Sequence, residues 1–287
     1  MPGFRSVKQY TDAWEAGRSY TGYSRDTTAS TLNTSPFLDL STIGGGPPAN
    51  YYASTPLTSA TLDGTTGIYY GDNKAPARRY LTHWSLTAQT AGWAGQYYLQ
   101  DILLYYPFFD GDDLTTQTAI NTVSLPRYTS GDGVKVYPVC QSTPAGNGSF
   151  IFTYVNQNGV TRVSPTNFVA LSAASPGQSM VASPVATSGS NIAYAVLAEG
   201  DTGVRSIVDV TVLTTIGGLF GMVLAYPLAS MMLPEGSCEA HQELITMKAP
   251  PPRVYDGAYL GLLGRLSNTV VGSVLLGSYN FIWDEGT

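Results

Sequence analysis

Apolar and polar positions alternate with a period of two along much of this chain, and Gly, Pro and Asn cut the alternation into short pieces. From Val204 onward, Ile207, Val208, Val210 and Val212 run in near-alternation with Asp209, Thr211 and Thr214. Branched side chains in that period predict a strand, because they suit a pleated surface with one face buried. Gly217-Gly218 supplies positive φ for a reversal, and Leu219 to Leu228 reads as a second strand, so the pair is expected to form a β-hairpin. Val210 to Leu233 carries no charge and is long enough to span a bilayer, but its threonines, glycines and Pro227 favour a covered hairpin, as does the absence of flanking Lys or Arg clusters.

Other segments follow the same logic. Phe150, Phe152 and Tyr154 alternate with Ile151, Thr153 and Val155, and Asn158-Gly159 is the dipeptide of a type I′ turn, so Ser149 to Pro165 reads as a hairpin returning over Val160 to Val163. Tyr80 to Ala88, Tyr97 to Phe109 (its Tyr and Phe density outweighing a helical reading despite Pro107), Ile192 to Leu197, Ala258 to Leu263 and Val270 to Trp283, with Asn268 at a bend, are further expected strands. Ser6-Val-Lys-Gln9 resembles a capping box, and Val7, Tyr10 and Trp14 at helical spacing predict one short helix ending at Gly17. Glu235 to Lys248 has room for a helical turn, and Ala249-Pro-Pro-Pro252 is a stiff connector. Ser19 to Pro48 lacks periodicity and reads as an extended arm. The expected fold is therefore all-β, an antiparallel β-sandwich or jelly roll, with residues 1–48 as helix and arm and 49–287 as the β-rich domain, divided if at all near 130–145.

Composition narrows the function. Only 12% of residues are charged, and Gly, Ser, Thr, Tyr and Pro are abundant, so the surface is built from hydroxyls, amides and aromatics and suits packing against neighbours. A net charge of −6 with scattered cations argues against a nucleic-acid partner. Met1 to Tyr20 has no secretory apolar core, which leads to the expectation of folding in a cytoplasm. Cys140 and Cys238 are then expected to be free and buried.

Candidate chemistry is sparse. The chain has two histidines, His83 and His241, and no Gly-x-Ser-x-Gly elbow, so both read as ordinary sheet or loop residues. Cys238-x-x-His241 with Glu239 and Glu243 offers metal-ligand types without a second pair to complete a zinc site. Asp110, Asp112 and Asp113 cluster where calcium could sit, but the EF-hand pattern is absent, and a solvated turn is expected. Gly217-Gly218-x-x-Gly221 matches no nucleotide loop, and the Asn33 and Asn147 sequons have no secretory route. Tyr51-Tyr52, Tyr69-Tyr70 and Tyr97-Tyr98, with Trp84 and Trp93, leave sugar stacking open beside core or interface roles. No catalytic, cofactor or metal residue is assigned.

Four segments carry a family resemblance: Leu125-Pro-Arg-Tyr-Thr-Ser-Gly-Asp-Gly133, Thr153-Tyr-Val-Asn-Gln-Asn-Gly159, Glu199-Gly-Asp-Thr-Gly-Val-Arg-Ser206 and Tyr255-Asp-Gly-Ala-Tyr-Leu260. Together they resemble structural proteins of tailed-bacteriophage virions. The resemblance implies a non-enzymatic head decoration or cement protein on the capsid surface, assembled in the host cytoplasm. Its partners would be the major capsid protein and itself as a homo-oligomer, a trimer before a dimer, with no nucleic acid or membrane. A tail component binding carbohydrate or a receptor is the alternative.

Overall fold

The structure, a computed structural model, describes residues 4, 6–27, 37–40, 52–62, 67–142, 146–169, 177, 179–180, 192–235, 237–247, 251–267 and 273–285. In chain order the elements are α1 (Val7–Glu15), β1 (Ser19–Thr27), β2 (Phe37–Asp39), β3 (Arg79–Ala88), β4 (Gly95–Asp110), β5 (Thr116–Thr118), β6 (Lys135–Cys140), β7 (Ser149–Asn156) and β8 (Thr161–Val163). There follow β9 (Asn167–Phe168), β10 (Val204–Thr214), β11 (Leu219–Leu233), β12 (Ala240–Glu243), α2 (Leu244–Met247), β13 (Arg253–Val254), β14 (Leu260–Leu266) and β15 (Val274–Trp283). The fold is all-β with antiparallel sheets in layers; among the described residues the α-helical part is α1, of nine residues, and the single turn α2.

The central sheet runs β2-β14-β4-β11-β6. Its two outer strands are bridged by Gly177, Ser179 and Met180. Gly177 N–H donates to Cys140 O at 2.7 Å and Met180 N–H to Pro138 O at 2.9 Å. On the other side Asp39 N–H donates to Gly177 O at 3.1 Å and Ser179 N–H to Phe37 O at 2.7 Å. The central sheet is thereby closed into a barrel, which removes the open edges that a flat sheet would expose. Tyr98, Ile102, Tyr105, Tyr137, Val139, Val223 and Leu263 point into this barrel with Phe37, and Tyr52 and Ala193 fill it.

The outside of the barrel is covered by two more sheets. One, β1-β15-β3-β12 with β13 on β3, packs Leu81, Trp84, Leu275 and Phe281 against Tyr97, Leu99, Leu228, Met231 and Leu262. The other, β5-β10-β7-β8 with β9 on β7, packs Phe150, Phe152, Val210 and Val212 against Leu104, Tyr106, Phe109, Phe220 and Met222. Register shifts between Phe220 and Met222, Leu224 and Ala225, and Pro227 and Ala229 keep the outward side chains of β11 in step along its length. Tyr226 touches both outer cores and stacks on Tyr128, centroids 3.8 Å apart and planes within 6°.

Three expectations are corrected. The tract from Val204 to Leu233 does form two strands, but they are not a hairpin: β10 pairs with β5 and β7, and β11 with β4 and β6. Gly217 (φ +78°) and Gly218 (φ +66°) turn the chain from the covering sheet into the barrel, and burial comes from the two sheets facing each other. The β7–β8 hairpin is present, yet Asn158 keeps negative φ and only Gly159 is left-handed, at +77°. The Asn156 side chain explains this, since its Oδ1 accepts both Asn158 N–H at 3.0 Å and Val160 N–H at 2.9 Å and stabilises a longer loop. Ile192–Leu197 is not a strand; Ala195 N–H bonds Val136 O at 2.7 Å while Tyr194 and Ala193 turn into the barrel, which needs filling side chains more than another rung.

The first residues of the expected arm, Ser19–Thr27, are a covering-sheet strand paired residue by residue with β15, from Ser19 opposite Ile282 to Thr27 opposite Val274. Residues 28–36 and 41–48 of that stretch, the first two residues of the proline connector, Asn33 and Asn268 lie outside the described residues. Helix α1 begins at Ser6, whose Oγ accepts Gln9 N–H at 3.3 Å, but Val7 and Trp14 are exposed and the face against the sheet is Tyr10 and Ala13. Helical spacing alone did not say which side met the body. Among the described residues no helix is long and apolar enough to cross a membrane.

Candidate functional site

Each buried polar group of this fold must be paired or perturbed. Inside the barrel Asp39 is 3% exposed and accepts from Tyr52 Oη and from Tyr137 Oη, the latter at 3.0 Å. Gln100 Nε2 donates to Tyr137 Oη at 2.8 Å, and Tyr194 Oη donates to Gln100 Oε1 at 3.0 Å. Burial, then the Asp39 charge, pushes the Tyr52 and Tyr137 phenols well up, so they stay protonated and can only serve as donors to the carboxylate. This network pins β2 and β6 to β4 across the barrel. Asp39, Tyr52, Gln100 and Tyr137 are buried and Tyr194 half-buried, and the chemistry is that of a clamp.

A second buried carboxylate, Asp101, takes a two-pronged ion pair from Arg127, Nε to Oδ2 at 2.8 Å and Nη2 to Oδ1 at 2.7 Å, with Tyr259 N–H donating at 3.0 Å. Burial pushes its carboxyl up and the guanidinium pulls it back. The pair fastens the segment after Leu125 to the middle of β4.

The residues singled out for chemistry have these places. His83 and His241 lie on neighbouring strands β3 and β12, rings stacked at 6.1 Å, and His83 Nδ1 is 2.7 Å from Glu243 Oε1. The sequence offered no sign of that approach, since strand pairing across some 160 positions made it. No serine or cysteine bonds either ring among the described residues. Cys238 is exposed, contrary to expectation, with Glu235 as its neighbour at 3.9 Å, while Cys140 is buried and its thiol is pushed up to about 12 by burial. No three His, Cys, Asp or Glu side chains among the described residues could together hold a metal ion. Asp110 Oδ1 accepts Asp112 N–H at 2.9 Å, and Asp113 Oδ1 accepts from the Thr115 hydroxyl and amide, which holds its carboxyl below the usual range. These carboxylates cap a turn.

Sugar stacking loses most of its residues. Trp84 and Trp93 are fully buried, and so are Tyr52, Tyr70 and Tyr97 from the tyrosine pairs, leaving Tyr69 exposed and Tyr98 half-buried; Tyr51 lies outside the described residues.

One exposed surface is the outward face of the covering sheet β5-β10-β7-β8. Because Phe150, Phe152 and Tyr154 turn inward, Ile151, Thr153 and Val155 turn outward. The register sets Thr116, Thr211 and Ile151 in one row, and Thr118, Asp209, Thr153 and Val163 in the next. Thr116 Oγ1 and Thr211 Oγ1 are 3.0 Å apart, so these hydroxyls satisfy each other. Val163 is 53% and Leu213 46% exposed, and Asp209 is the one charge in the two rows. A nearly uncharged sheet face of this kind is cheap to strip of water.

No protein-family model matches the chain, and no curated protein matches it. Among solved structures, T=1 particles derived from infectious bursal virus are similar at 12% identity and a TM-score of 0.17, over 93% of this chain and 78% of that one. The VP2 subviral particle of infectious bursal disease virus is similar at 10% identity and a TM-score of 0.17, over 92% of this chain and 80% of that one.

Proposed function

We propose that this chain is a non-enzymatic structural protein of a virion, a head decoration or cement protein that self-associates and binds the major capsid protein of a shell. The observation that carries the reading is the outward face of β5-β10-β7-β8, two rows of threonine and branched aliphatic side chains broken by Asp209 alone. The four segments that resemble tailed-bacteriophage virion proteins support the same reading, and Thr153–Gly159 and Glu199–Ser206 include parts of that face. Low overall charge fits it too, since many modest copies of one contact add up by avidity when a shell presents the same site repeatedly.

The test is co-sedimentation of the purified chain with assembled shells, together with its mass in solution by light scattering. Wild type is expected to sediment with shells and to run as an oligomer. Thr153→Lys with Val163→Glu, both on the outward face, is expected to abolish one or both while the circular dichroism spectrum stays unchanged. A monomer that ignores shells overturns the proposal, as does a double variant that binds as wild type does.

A further inference from the structure

At one end of the same covering sheet lies an open cleft of about 480 Å3 between the loop from Asn121 to Thr129 and strands β7 and β10. Its volume falls within the range of roughly 300–1,000 Å3 usual for small-molecule sites. Val123, Leu125 and Val155 give it an aliphatic floor, and Ser124, Thr129 and Ser206 bring hydroxyls to the rim. Arg205 is the one charged residue lining it.

The walls are held by groups that are already committed. Ser59, 3% exposed, accepts Thr122 N–H at 2.9 Å and Val123 N–H at 3.0 Å on its Oγ. Asn121 accepts from Tyr106 Oη at 2.7 Å and donates to Ile207 O at 2.8 Å. Arg205 gives Nε to Ser130 O at 2.9 Å and Nη2 to Gln157 O, so its guanidinium is fixed by two carbonyls. Other donors of the lining residues are uncommitted. Neither Arg205 Nη1 nor the hydroxyls of Ser124, Thr129 and Ser206 bond any described residue, and Arg205 pairs with no carboxylate among them.

We infer that this cleft binds a carboxylate-bearing sugar, its carboxylate on Arg205 and its ring hydroxyls on Ser124, Thr129 and Ser206. A fixed guanidinium without a counter-ion recognises an oxyanion, and its fork suits a planar carboxylate. A single cation, with no helix terminus beside it, matches a monoanion better than the double charge of a phosphate. Hydroxyls both donate and accept, as sugar hydroxyls do, and the floor of Val123, Leu125 and Val155 offers the apolar surface that the C–H face of a pyranose covers. The cleft adjoins the face proposed to meet a shell, since Val155 belongs to both, so its ligand is sought on the free chain.

The experiment is a titration of the full-length, nitrogen-15-labelled chain, followed by amide shifts, with glucuronate, N-acetylneuraminate, glucose and acetate. Either acidic sugar is expected to give saturable shifts confined to residues 121–129 and 205–206, with glucose and acetate each about tenfold weaker or more, which corresponds to about 1.4 kcal/mol. Arg205→Lys keeps the charge but loses the fork and is expected to weaken binding several-fold. Because Arg205 also braces two loops, Ser124→Ala with Thr129→Ala, at exposed hydroxyls, is the second variant and is expected to weaken binding without altering the rest of the spectrum. Equal binding of glucose overturns the inference, and so does equal binding of acetate, which would mean a bare anion site. Absence of saturable shifts, or shifts centred elsewhere, overturns it as well.

Discussion

Asp26 offers the sharpest test of how this fold handles charge. It sits on β1 opposite Leu275, on the inward side of the strand with Tyr20 and Ser24, and is 5% exposed. Ser24 Oγ is 2.9 Å from Tyr279 Oη, and the side chains that feel the Asp26 charge are Tyr279 and Tyr97. Burial raises its carboxyl from 3.8 to about 7. The sign follows from linkage. Below pH 3.8 the group is protonated whether the chain is folded or not and contributes no penalty. Between 3.8 and about 7 the folded chain keeps a proton that the unfolded chain has released, so stability falls as pH rises. Above about 7 the loss is complete: the difference between 3.8 and about 7, at about 1.36 kcal/mol per unit, comes to about 4 kcal/mol as an upper bound. Asp26→Asn removes the charge and keeps the shape. Urea unfolding of both proteins at pH 4, 5.5, 7 and 8.5 should therefore show the variant gaining on wild type with pH, from near equality at the acid end to an advantage of up to about 4 kcal/mol at the alkaline end. Other carboxylates cancel in the difference. A gap that does not change with pH, or a variant less stable at pH 8.5, would refute the assignment of a buried, weakly compensated carboxyl.

Arg127→Met leaves Asp101 charged and buried, so it should cost about 3–5 kcal/mol by urea unfolding, whereas replacing Asp101 and Arg127 together with apolar residues should recover much of that loss. At Gly264 an added methyl would lie 2.6 Å from Tyr97 Cε1, a ring packed in the covering core, so Gly264→Ala should lower stability by about 1–3 kcal/mol; a neutral effect would show that the ring has room to move. A thiol reagent should modify Cys238 at once and Cys140 only after denaturant is added, so native titration should count one thiol of two. Two fast thiols would contradict the burial of Cys140.

The strands themselves were legible because alternation is local. Phe150-Ile-Phe-Thr-Tyr-Val155 declares an inward and an outward face and the structure keeps both, whereas in Val204 to Val212 bulges break the period, so Val204, Ile207, Val210 and Val212 turn inward and Val208 does not. Partnership was not legible. Gly217-Gly218 looks like a hairpin turn in sequence, yet the glycines serve equally well to pass the chain between two sheets, and the choice depends on β4, more than a hundred positions earlier. The same holds for the barrel. Its closing residues, Gly177, Ser179 and Met180, lie in a small-residue, Ser-rich region with no alternation to announce them, and they are recognised only by the bonds they make with Phe37, Asp39, Pro138 and Cys140. Asp39 carried no signal either, since a lone carboxylate in Phe-Leu-Asp becomes meaningful only once Tyr52 and Tyr137 arrive from elsewhere in the chain.

Closure also explains why the surface of the covering sheets matters. Along most of β4 and β11 both faces are buried, one turned into the barrel and the other under a covering sheet, so apart from Leu219 and Met232 near the ends of β11 these longest and most apolar strands offer a partner little apolar surface. Contact with anything outside falls to the covering sheets, whose inner faces are spent on the barrel and whose outward faces are free to vary. On β5-β10-β7-β8 that free face has been filled with threonine and valine where lysine and glutamate would serve solubility better. A sheet that had only to cap the barrel would gain from charge there. Its near absence is the physical reason to look for a partner on that face, and charge introduced at Thr153 or Val163 is the perturbation to which such a partner would be most sensitive.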